Sequence, residues 1–283
     1  DGEILLEVSD AVRDTLLADM DSAEIVAAAQ NLDADEIADL APDLPDEVAA
    51  HMAPCALATA DTDWHLAELY DCADRLGIST LAARWSRYAI DLNRPPENTN
   101  LYPGLDTTGL CPVDTFGRES LYQEGRVPDA AEVQRRLERY WQPYHNQLRA
   151  ELARLLALHG RVVLWDAHSI ASEVPRFFEG RLPDLNFGTA EGKSCDPGLE
   201  NAVVGVARAQ DRFSIAVNGR FKGGHITRFY GQPNEGVHAI QLEMCQCLYM
   251  DEAPPFAFQA EVAAKVQPLL SDMVQAALDW VRA

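Results

Sequence analysis

The sequence predicts an α/β fold with a mixed, largely parallel sheet and helices on both of its faces. Short apolar runs alternate along the chain with longer stretches of helical periodicity, which is the order of elements in layered α/β proteins. One run, Val162-Val163-Leu164-Trp165, is continuously apolar, as expected of a central parallel strand covered on both faces. A chain of 283 residues that is 47% hydrophobic can bury such a core.

The elements are predicted from apolar periodicity and from the residues that end each run. Gly77 and Gly160 each follow a stretch with an apolar helical stripe and predict the ends of helices, and Pro143 predicts a kink in the second of them. Residues 97–128 lack periodicity, and a loop of that length is usually functional. The predicted order is a helix over 66–76, a strand over 81–92, the loop over 97–128, a helix over 129–159, a strand over 161–169, a loop over 170–201, strands over 213–217 and 238–244, and a helix over 257–281.

The first fifty residues differ from the rest of the chain. The net charge is −22, and residues 1–50 hold fifteen Asp and Glu against Arg13 alone, which is −14 of that total. Ser9 and Asp21 are candidate N-caps of short acidic helices, each too short to be stable alone. We therefore predict an acidic helical segment over residues 1–47 and an α/β domain over residues 48–283.

Composition and charge narrow the classes of function. So acidic a chain is not expected to bind nucleic acid, and the sequence has neither an apolar run that would insert into a membrane nor a signal peptide. Its six cysteines are scattered without a Cys-x-x-Cys pair, which predicts free thiols in a cytoplasmic protein rather than a Cys-type zinc site. The oligomeric state is not predicted.

Polar residues recur where the predicted strands and their neighbours end. Asp166 and His168 are two positions apart, so they share a face if the strand continues that far. A His next to a carboxylate at a strand end is a candidate metal ligand or acid–base group, and the alternative is a His hydrogen-bonded for structural reasons. The residues in this pattern are Asp63, Asn93, Arg94, Asp166, His168, Asn218, Arg220 and Glu243.

Several long motifs resemble the N-formylglutamate amidohydrolase (deformylase) family, in the family's order and over about residues 44–283. They are Asp61-Thr62-Asp63-Trp64-His65, Ser86 to Pro96, Leu101-Tyr102-Pro103-Gly104, Gly109-Leu110-Cys111-Pro112, Leu164 to Ser169, Asn218 to Gly224 and Gln241-Leu242-Glu243. The resemblance implies a fold related to the zinc carboxypeptidases. It also implies zinc-dependent hydrolysis of N-formyl-L-glutamate to formate and L-glutamate, a reaction of histidine degradation.

The resemblance also implies roles for individual residues. The family's metal ligands fall on Asp63 and His168, which would hold one Zn²⁺ per chain, and Glu243 matches the catalytic carboxylate. The implied substrate is a small dicarboxylate, and the planar guanidinium of arginine suits a carboxylate. A surface salt bridge is the alternative for each arginine. The candidate substrate-binding residues are Arg87, Asn93, Arg94, Asn218, Arg220 and Arg228.

Residues 4–47 resemble a different family, the cytosolic N-domain of MgtE-type magnesium transporters. An acidic helical hairpin that keeps the chain soluble is the alternative. The deformylase family has a Pro-His-x-Gly turn before the Asp-Thr-Asp-Trp motif, and its His is the first metal ligand. Here that place is taken by residues 37–44, which contain no His. Asp39, Asp43 and His65 are the candidate replacements.

Two hypotheses follow from the sequence. The first is a zinc amidohydrolase whose activity is impaired by the loss of the first metal-ligand His. The second is a non-catalytic deformylase-like scaffold whose acidic segment binds divalent cations or a protein partner. The release of formate from N-formylglutamate distinguishes them.

Overall fold

The computed structural model describes residues 44–283, and the predicted acidic helices of residues 1–43 lie outside them. Within this part of the chain four strands form one sheet in the order β1-β4-β2-β3. They are β1 (Val162–Ile170), β2 (Leu185–Gly188), β3 (Ile215–Val217) and β4 (Val237–Cys245). β1 pairs with β4 and β2 with β3 in parallel, whereas β2 and β4 are antiparallel. The prediction of a mixed, largely parallel sheet is confirmed.

The α-helices of the described residues surround this sheet. The long helical segment has a π-helical turn, Leu137–Trp141, between two α-helices. Single 3₁₀ turns cover Pro54–Ala58, Pro233–Glu235 and Gln246–Leu248. The helices are α1 (Asp46–Ala49), α2 (Leu66–Leu69), α3 (Cys72–Leu76), α4 (Ala130–Arg136), α5 (Gln142–His159), α6 (Pro197–Arg208), α7 (His225–Tyr230), α8 (Ala260–Ala263) and α9 (Gln267–Arg282).

The two faces of β4 pack against different parts of the protein. Ile240, Leu242 and Met244 belong to the largest core cluster, together with apolar residues of α6 and α9. Successive side chains of a strand point to opposite faces, so Gln241 and Glu243 point away from that core. The apolar residues of α5, α7 and the start of β1 form a separate cluster. The sheet thus separates a large apolar core from a face on which polar side chains gather.

The long helix agrees with its prediction at both ends. Asp129 caps α4 by accepting a hydrogen bond from the backbone N–H of Glu132, and Gly160 ends α5 with a φ of 76°. Pro143 lies in the first turn of α5, just after the π-helical turn Leu137–Trp141, and the kink expected there stays a prediction. A wider turn leaves room where proline cannot donate a hydrogen bond.

The predicted strand over residues 81–92 is wrong. Tyr88, Ala89 and Ile90 are consecutively buried in a cluster against the long helix, and the backbone turns at Ser86 and again at Asp91. A strand would bury alternate residues on one face. The apolar residues here belong instead to an irregular segment that lies under the helix, which periodicity alone does not distinguish from a short strand.

Other boundaries also differ from the prediction. The loop predicted over 170–201 contains β2 and the start of α6, because a four-residue strand that ends in Gly188 has too little periodicity to be detected. The helices predicted over 66–76 and 257–281 are each divided in two. β1, predicted to be central, lies at one end of the strand order within residues 44–283, and its middle residues Val163 to Trp165 are only half-buried.

Two further expectations concern the chain as a whole. All six cysteines are free, as predicted. Across residues 44–283, no helix combines the length and the apolar character needed to cross a membrane.

One buried histidine links the long helix to the polar face of the sheet. His145 of α5 is fully buried, and its Nε2 donates to the carbonyl oxygen of Leu92 at 2.9 Å. Its Nδ1 lies 2.8 Å from the hydroxyl of Tyr230, which donates to it. Burial lowers the pKa of His145 to about 4, although the bond to Leu92 opposes this effect. His145 therefore stays neutral while it holds the residue that precedes Asn93.

We predict that His145 makes stability depend on pH in mildly acidic solution. The unfolded histidine titrates near pH 6.5 and the folded one near 4, so the unfolded state binds more protons between these values. The free energy of unfolding should fall by about 2 kcal/mol between pH 7 and pH 5 from this residue alone. Urea unfolding across this range should show a flatter dependence in His145→Gln than in wild type.

The matched control for this measurement is His159→Gln, which removes an exposed histidine from the end of the same helix. It should leave the pH dependence unchanged. Equal slopes for wild type and His145→Gln would contradict the assignment.

Candidate active site

The pairing of β1 with β4 brings the predicted site residues together. In this parallel register His168 is the partner of Glu243, and Asp166 is the partner of Gln241. Partners in adjacent strands project from the same face of the sheet, so these four polar side chains share one face. It is the face opposite the large apolar core. The expectation that Asp166 and His168 lie within a continuing strand is confirmed, since β1 extends to Ile170.

His168 lies between two carboxylates. Its Nδ1 is 3.4 Å from Oδ2 of Asp63, and its Nε2 is 3.0 Å from Oδ1 of Asp166. The side-chain amide nitrogen of Asn93 is 2.9 Å from the same Nε2. Burial alone would lower the pKa of His168, but Asp166 and Asp63 together raise it well above its usual value. This position in the protein therefore attracts a positive charge.

Each of the two carboxylates is fixed through its second oxygen. Oδ1 of Asp63 accepts a hydrogen bond from the backbone N–H of Ser169 at 2.7 Å. Oδ2 of Asp166 accepts one from the hydroxyl of the fully buried Thr227 at 2.7 Å. These bonds leave the remaining oxygens directed at the imidazole, so the ring is oriented from both sides.

Glu243 is a buried carboxyl group with a perturbed pKa. Its Oε2 accepts a hydrogen bond from the side-chain amide of Gln241 at 3.0 Å, and Oε1 of Gln241 accepts one from the backbone N–H of Gly224 at 2.8 Å. Burial raises the pKa of Glu243 to about 7. The charge of His168 opposes this increase, and the charge of Asp63 adds to it. A carboxyl group that titrates near neutrality can both accept and donate a proton at physiological pH.

Asn93 connects His168 to the loop before α7. Its Oδ1 accepts a hydrogen bond from the backbone N–H of Ile226 at 2.8 Å, which fixes the orientation of the amide. The amide lies so close to Gly224 that a Cβ there would come within 2.4 Å of the amide nitrogen and oxygen. Gly224 is therefore required by this close approach and not by its backbone angles, because its φ is −83°.

Arg87 and Arg94 converge on the buried carboxylate of Asp91. Nη2 of Arg87 donates to Asp91 at 2.5 Å, while Nε of Arg94 lies 3.9 Å from it. Burial would raise the pKa of Asp91, but the two guanidinium groups lower it below its usual value. Arg94 also donates to the carbonyl oxygen of Thr108 at 3.0 Å, and it lines a cavity of about 190 Å³ with Tyr102. Both arginines are thus anchored beside the site.

Arg220 and Arg228 both lie close to the ring of Tyr102. Their guanidinium carbons are 5.4 Å and 5.2 Å from the ring centroid, and neither arginine forms an ion pair within residues 44–283. Burial lowers the pKa of Arg220, and the nearby positive charge of Arg94 lowers it further. Nε of Arg220 donates to the carbonyl oxygen of Phe177 at 2.7 Å. These two cations are available to an anionic ligand.

Asn218 has different contacts from the other candidate residues. Its Oδ1 accepts from the backbone N–H groups of Thr189 and Glu191, and its amide nitrogen donates to the hydroxyl of Thr189 at 2.8 Å. All these bonds go to the loop after β2. The substrate-binding role assigned to Asn218 therefore stays a prediction, and its contacts give it a structural role in that loop.

The side chains partly fit a zinc site. Two ligands of a tetrahedral zinc ion lie about 3.3 Å apart, and the facing atoms of Asp63 and His168 are 3.4 Å apart. Asp166 on the other ring nitrogen provides the carboxylate partner typical of a metal-bound His. However, residues 44–283 contain no group of three or more His, Cys, Asp or Glu side chains arranged to hold a metal ion. Residues 44–283 therefore supply two candidate zinc ligands, Asp63 and His168.

His65, one candidate for a third ligand, already contacts other residues through both ring nitrogens. Its Nε2 donates to the carbonyl oxygen of Phe256 at 2.7 Å, and its Nδ1 lies 3.3 Å from Glu68. Asp39 and Asp43, the other two candidates, lie outside the described residues.

Several residues of the site had no predicted role. Asp91, Tyr102 and Gln241 all fall within the motifs that carry the family resemblance. Gln241 could have been found from the two-residue period of β4, which places it on the same face as Glu243. No sequence pattern indicated Thr227, because its hydrogen bond to Asp166 joins two elements that are far apart in the chain.

A buried carboxyl group opposite a carboxylate-flanked histidine, on one face of an α/β sheet, is an arrangement suited to hydrolases that activate water. Within that class, the family described as N-formylglutamate amidohydrolase matches residues 41–250, and the chain belongs to this family. The family described as the MgtE intracellular N domain matches residues 1–61. The division of the chain at residue 47 stays a prediction.

Individual proteins agree with this assignment. The N-formylglutamate deformylase of Pseudomonas aeruginosa is 52% identical over 227 residues, which are 80% of this chain and 85% of that protein. The enzyme of the same name from Pseudomonas putida is 48% identical over 237 residues, 84% of this chain and 88% of that protein. The crystal structure of N-formylglutamate amidohydrolase from Ralstonia eutropha JMP134 has a TM-score of 0.71 at 25% identity and covers 86% of this chain and 92% of its own. The predicted fold and the predicted family are both confirmed.

We predict that Gly224→Ala destabilises the protein by about 1–3 kcal/mol, because its Cβ would displace the amide of Asn93. The matched control is Gly205→Ala in α6, where a Cβ would meet nothing within 4 Å. That change should be neutral or stabilising by up to about 1 kcal/mol through helix propensity. Urea unfolding of the two variants checks this, and equal stabilities would contradict the close packing of Asn93.

Proposed function

We propose that the chain hydrolyses N-formyl-L-glutamate to formate and L-glutamate, the deformylation step of histidine degradation, with zinc as the cofactor. The observation that carries the proposal is the position of Glu243, a buried carboxyl group with its pKa raised to about 7, opposite His168 in the β1–β4 register. The names of the two Pseudomonas relatives support the choice of substrate.

In this mechanism Glu243 moves the proton. Its carboxylate takes a proton from water, and the resulting hydroxide adds to the formyl carbon. Glu243 then donates that proton to the amide nitrogen as the C–N bond breaks, which yields formic acid and the free amine of glutamate. The formic acid then loses its proton to the amine or to water and leaves as formate. A pKa of about 7 suits both steps, because the carboxylate and the acid are both populated near neutral pH.

The substrate's two carboxylates need fixed cations. Arg220 and Arg228 form no ion pair within residues 44–283 and both lie close to the ring of Tyr102, so they support the binding of one carboxylate. Arg94, which lines the adjacent cavity of about 190 Å³, supports the binding of the other. Arg87 is held by Asp91 and contributes positive charge next to Glu243.

Zinc would be held by Asp63 and His168, where it would polarise the formyl carbonyl and lower the pKa of a bound water. Catalytic zinc normally has three protein ligands, and the described residues supply two. Residues 1–43 contain no His and no Cys, so only carboxylates of that segment are available as a third ligand. We therefore propose weak zinc binding and an activity below that of a three-ligand site.

We predict that Glu243→Gln lowers the rate of formate release by about 100-fold or more, because the amide cannot transfer the proton. Formate released from N-formylglutamate, measured with a coupled dehydrogenase in the presence of added zinc, checks this. The matched control is Glu235→Gln, which changes an exposed glutamate just before β4 and should retain full activity.

The outcome for the wild-type chain decides between the two hypotheses. A folded wild-type protein that releases no formate, with or without added zinc, would refute the hydrolase. It would favour the non-catalytic scaffold whose acidic segment binds cations or a partner. An active Glu243→Gln variant would refute only the proposed role of Glu243 in proton transfer and would leave the hydrolase itself standing.

A further inference from the structure

Two cysteines lie together where β4 ends. Cys245 is the last residue of β4 and is fully buried, whereas Cys247 lies in the following 3₁₀ turn and is only half-buried. Cys245 belongs to a small apolar cluster with Ile170 and Leu182, and Cys247 packs against the same cluster. The proposed mechanism uses neither of them.

Charged groups surround the more accessible thiol. Nη2 of Arg181 lies 3.3 Å from Sγ of Cys247, and the same nitrogen is 2.9 Å from Asp184. The carboxylate of Glu252 accepts the backbone N–H of Cys247 at 2.9 Å and opposes ionisation of the thiol. The neighbouring Cys245 lowers the pKa of Cys247 to about 7 with the help of Arg181, against the opposing effects of burial and Glu252.

The second thiol has the opposite character. Sγ of Cys245 lies 3.5 Å from the carbonyl oxygen of Leu182 and 3.4 Å from that of Pro183, both of which accept its proton. The neighbouring Cys247 and burial raise the pKa of Cys245 far above its usual value. The pair therefore consists of an accessible, ionisable thiol and a buried, protonated neighbour, which is the arrangement of a reactive cysteine and a resolving one.

We propose that Cys247 is a site of oxidation by hydroperoxides and that Cys245 resolves the product into a Cys245–Cys247 disulfide. The basis is the packing of both cysteines in one cluster with a single residue between them, the guanidinium of Arg181 beside the outer thiol, and the difference in their exposure.

The chemistry has two steps. The Cys247 thiolate attacks one oxygen of hydrogen peroxide, the O–O bond breaks, and a sulfenic acid forms while the released hydroxide takes up a proton to become water. Cys245 then attacks the sulfur of the sulfenic acid and loses its proton, the S–O bond breaks, and a second water leaves. Two thiols are oxidised to a disulfide and one peroxide is reduced to two waters.

The cross-link would act on the proposed active site through the residue that it encloses. Gln246, between the two cysteines, donates to the carbonyl oxygen of Thr62 at 2.8 Å and lies 3.4 Å from the hydroxyl of Ser169. Both of these residues adjoin proposed zinc ligands, Thr62 next to Asp63 and Ser169 next to His168. We expect the oxidised protein to lose activity until a thiol reductant is added, an effect that rests on the proposed function.

The test is mass spectrometry of the full-length protein, oxidised under native conditions with a small excess of hydrogen peroxide near neutral pH. The peptide that contains Cys245 and Cys247 should lose the mass of two hydrogens and regain it with dithiothreitol. In Cys245→Ser the sulfenic acid should persist and be trapped by dimedone on Cys247. Arg181→Gln should slow the oxidation several-fold, because it removes the adjacent positive charge.

Cys111 is the internal control. It is also half-buried, but burial raises the pKa of its thiol to about 11, so it should react much more slowly. Oxidation of Cys111 as fast as Cys247 would overturn the proposal, as would a disulfide or mass change that persists in Cys247→Ser. The mass readout does not depend on formate release, so failure of the proposed function leaves this test intact.

Discussion

The parallel register between β1 and β4 is the constraint on which the site depends. It places His168 opposite Glu243 and Asp166 opposite Gln241 on a single face. A shift of one residue in either strand would turn that strand's polar set toward the large apolar core and expose its apolar set. The register is therefore fixed by burial: Ile240, Leu242 and Met244 pack with α6 and α9, which leaves Gln241 and Glu243 on the other face. The alternation of side chains along β4 thus determines both how the strand packs and which polar groups it presents to the candidate site.

Electrostatics on this face favour a single cation between two carboxylates. Asp63 and Asp166 approach the two nitrogens of His168, and their other oxygens are occupied by Ser169 and Thr227. A proton on the imidazole satisfies this arrangement in the protein alone. A zinc ion bound by Asp63 and His168 would have to displace that proton, so proton and metal compete for the same position. A site with only two described donors gives the metal little advantage in this competition.

The elements that carry the candidate site residues were easier to predict from the sequence than the loops around them. β1, β4 and the long helix each have a continuous apolar run or stripe in the sequence. In the folded protein these apolar residues pack against the core clusters, although the middle of β1 is only half-buried. Tyr88 to Ile90 show the limit of such arguments, since their apolar character serves an irregular segment under the helix. Asp63 and His168 could be proposed as site residues because they lie in recognisable motifs. The two-residue period of β4 could have indicated Gln241, whereas the contact of Thr227 with Asp166 depends on the distance between separate elements, which no local pattern encodes.

The zinc content of the purified chain tests the central proposal, that residues 44–283 supply two zinc ligands, Asp63 and His168, and that zinc binding is therefore weak. The account predicts much less than one zinc per chain after gel filtration without added metal. It also predicts binding of one zinc during equilibrium dialysis against excess metal, and loss of that binding in His168→Ala. Retention of a full zinc through gel filtration would contradict it, because such tight binding normally needs three protein ligands. Zinc binding that is unchanged in His168→Ala would contradict the proposed ligands themselves.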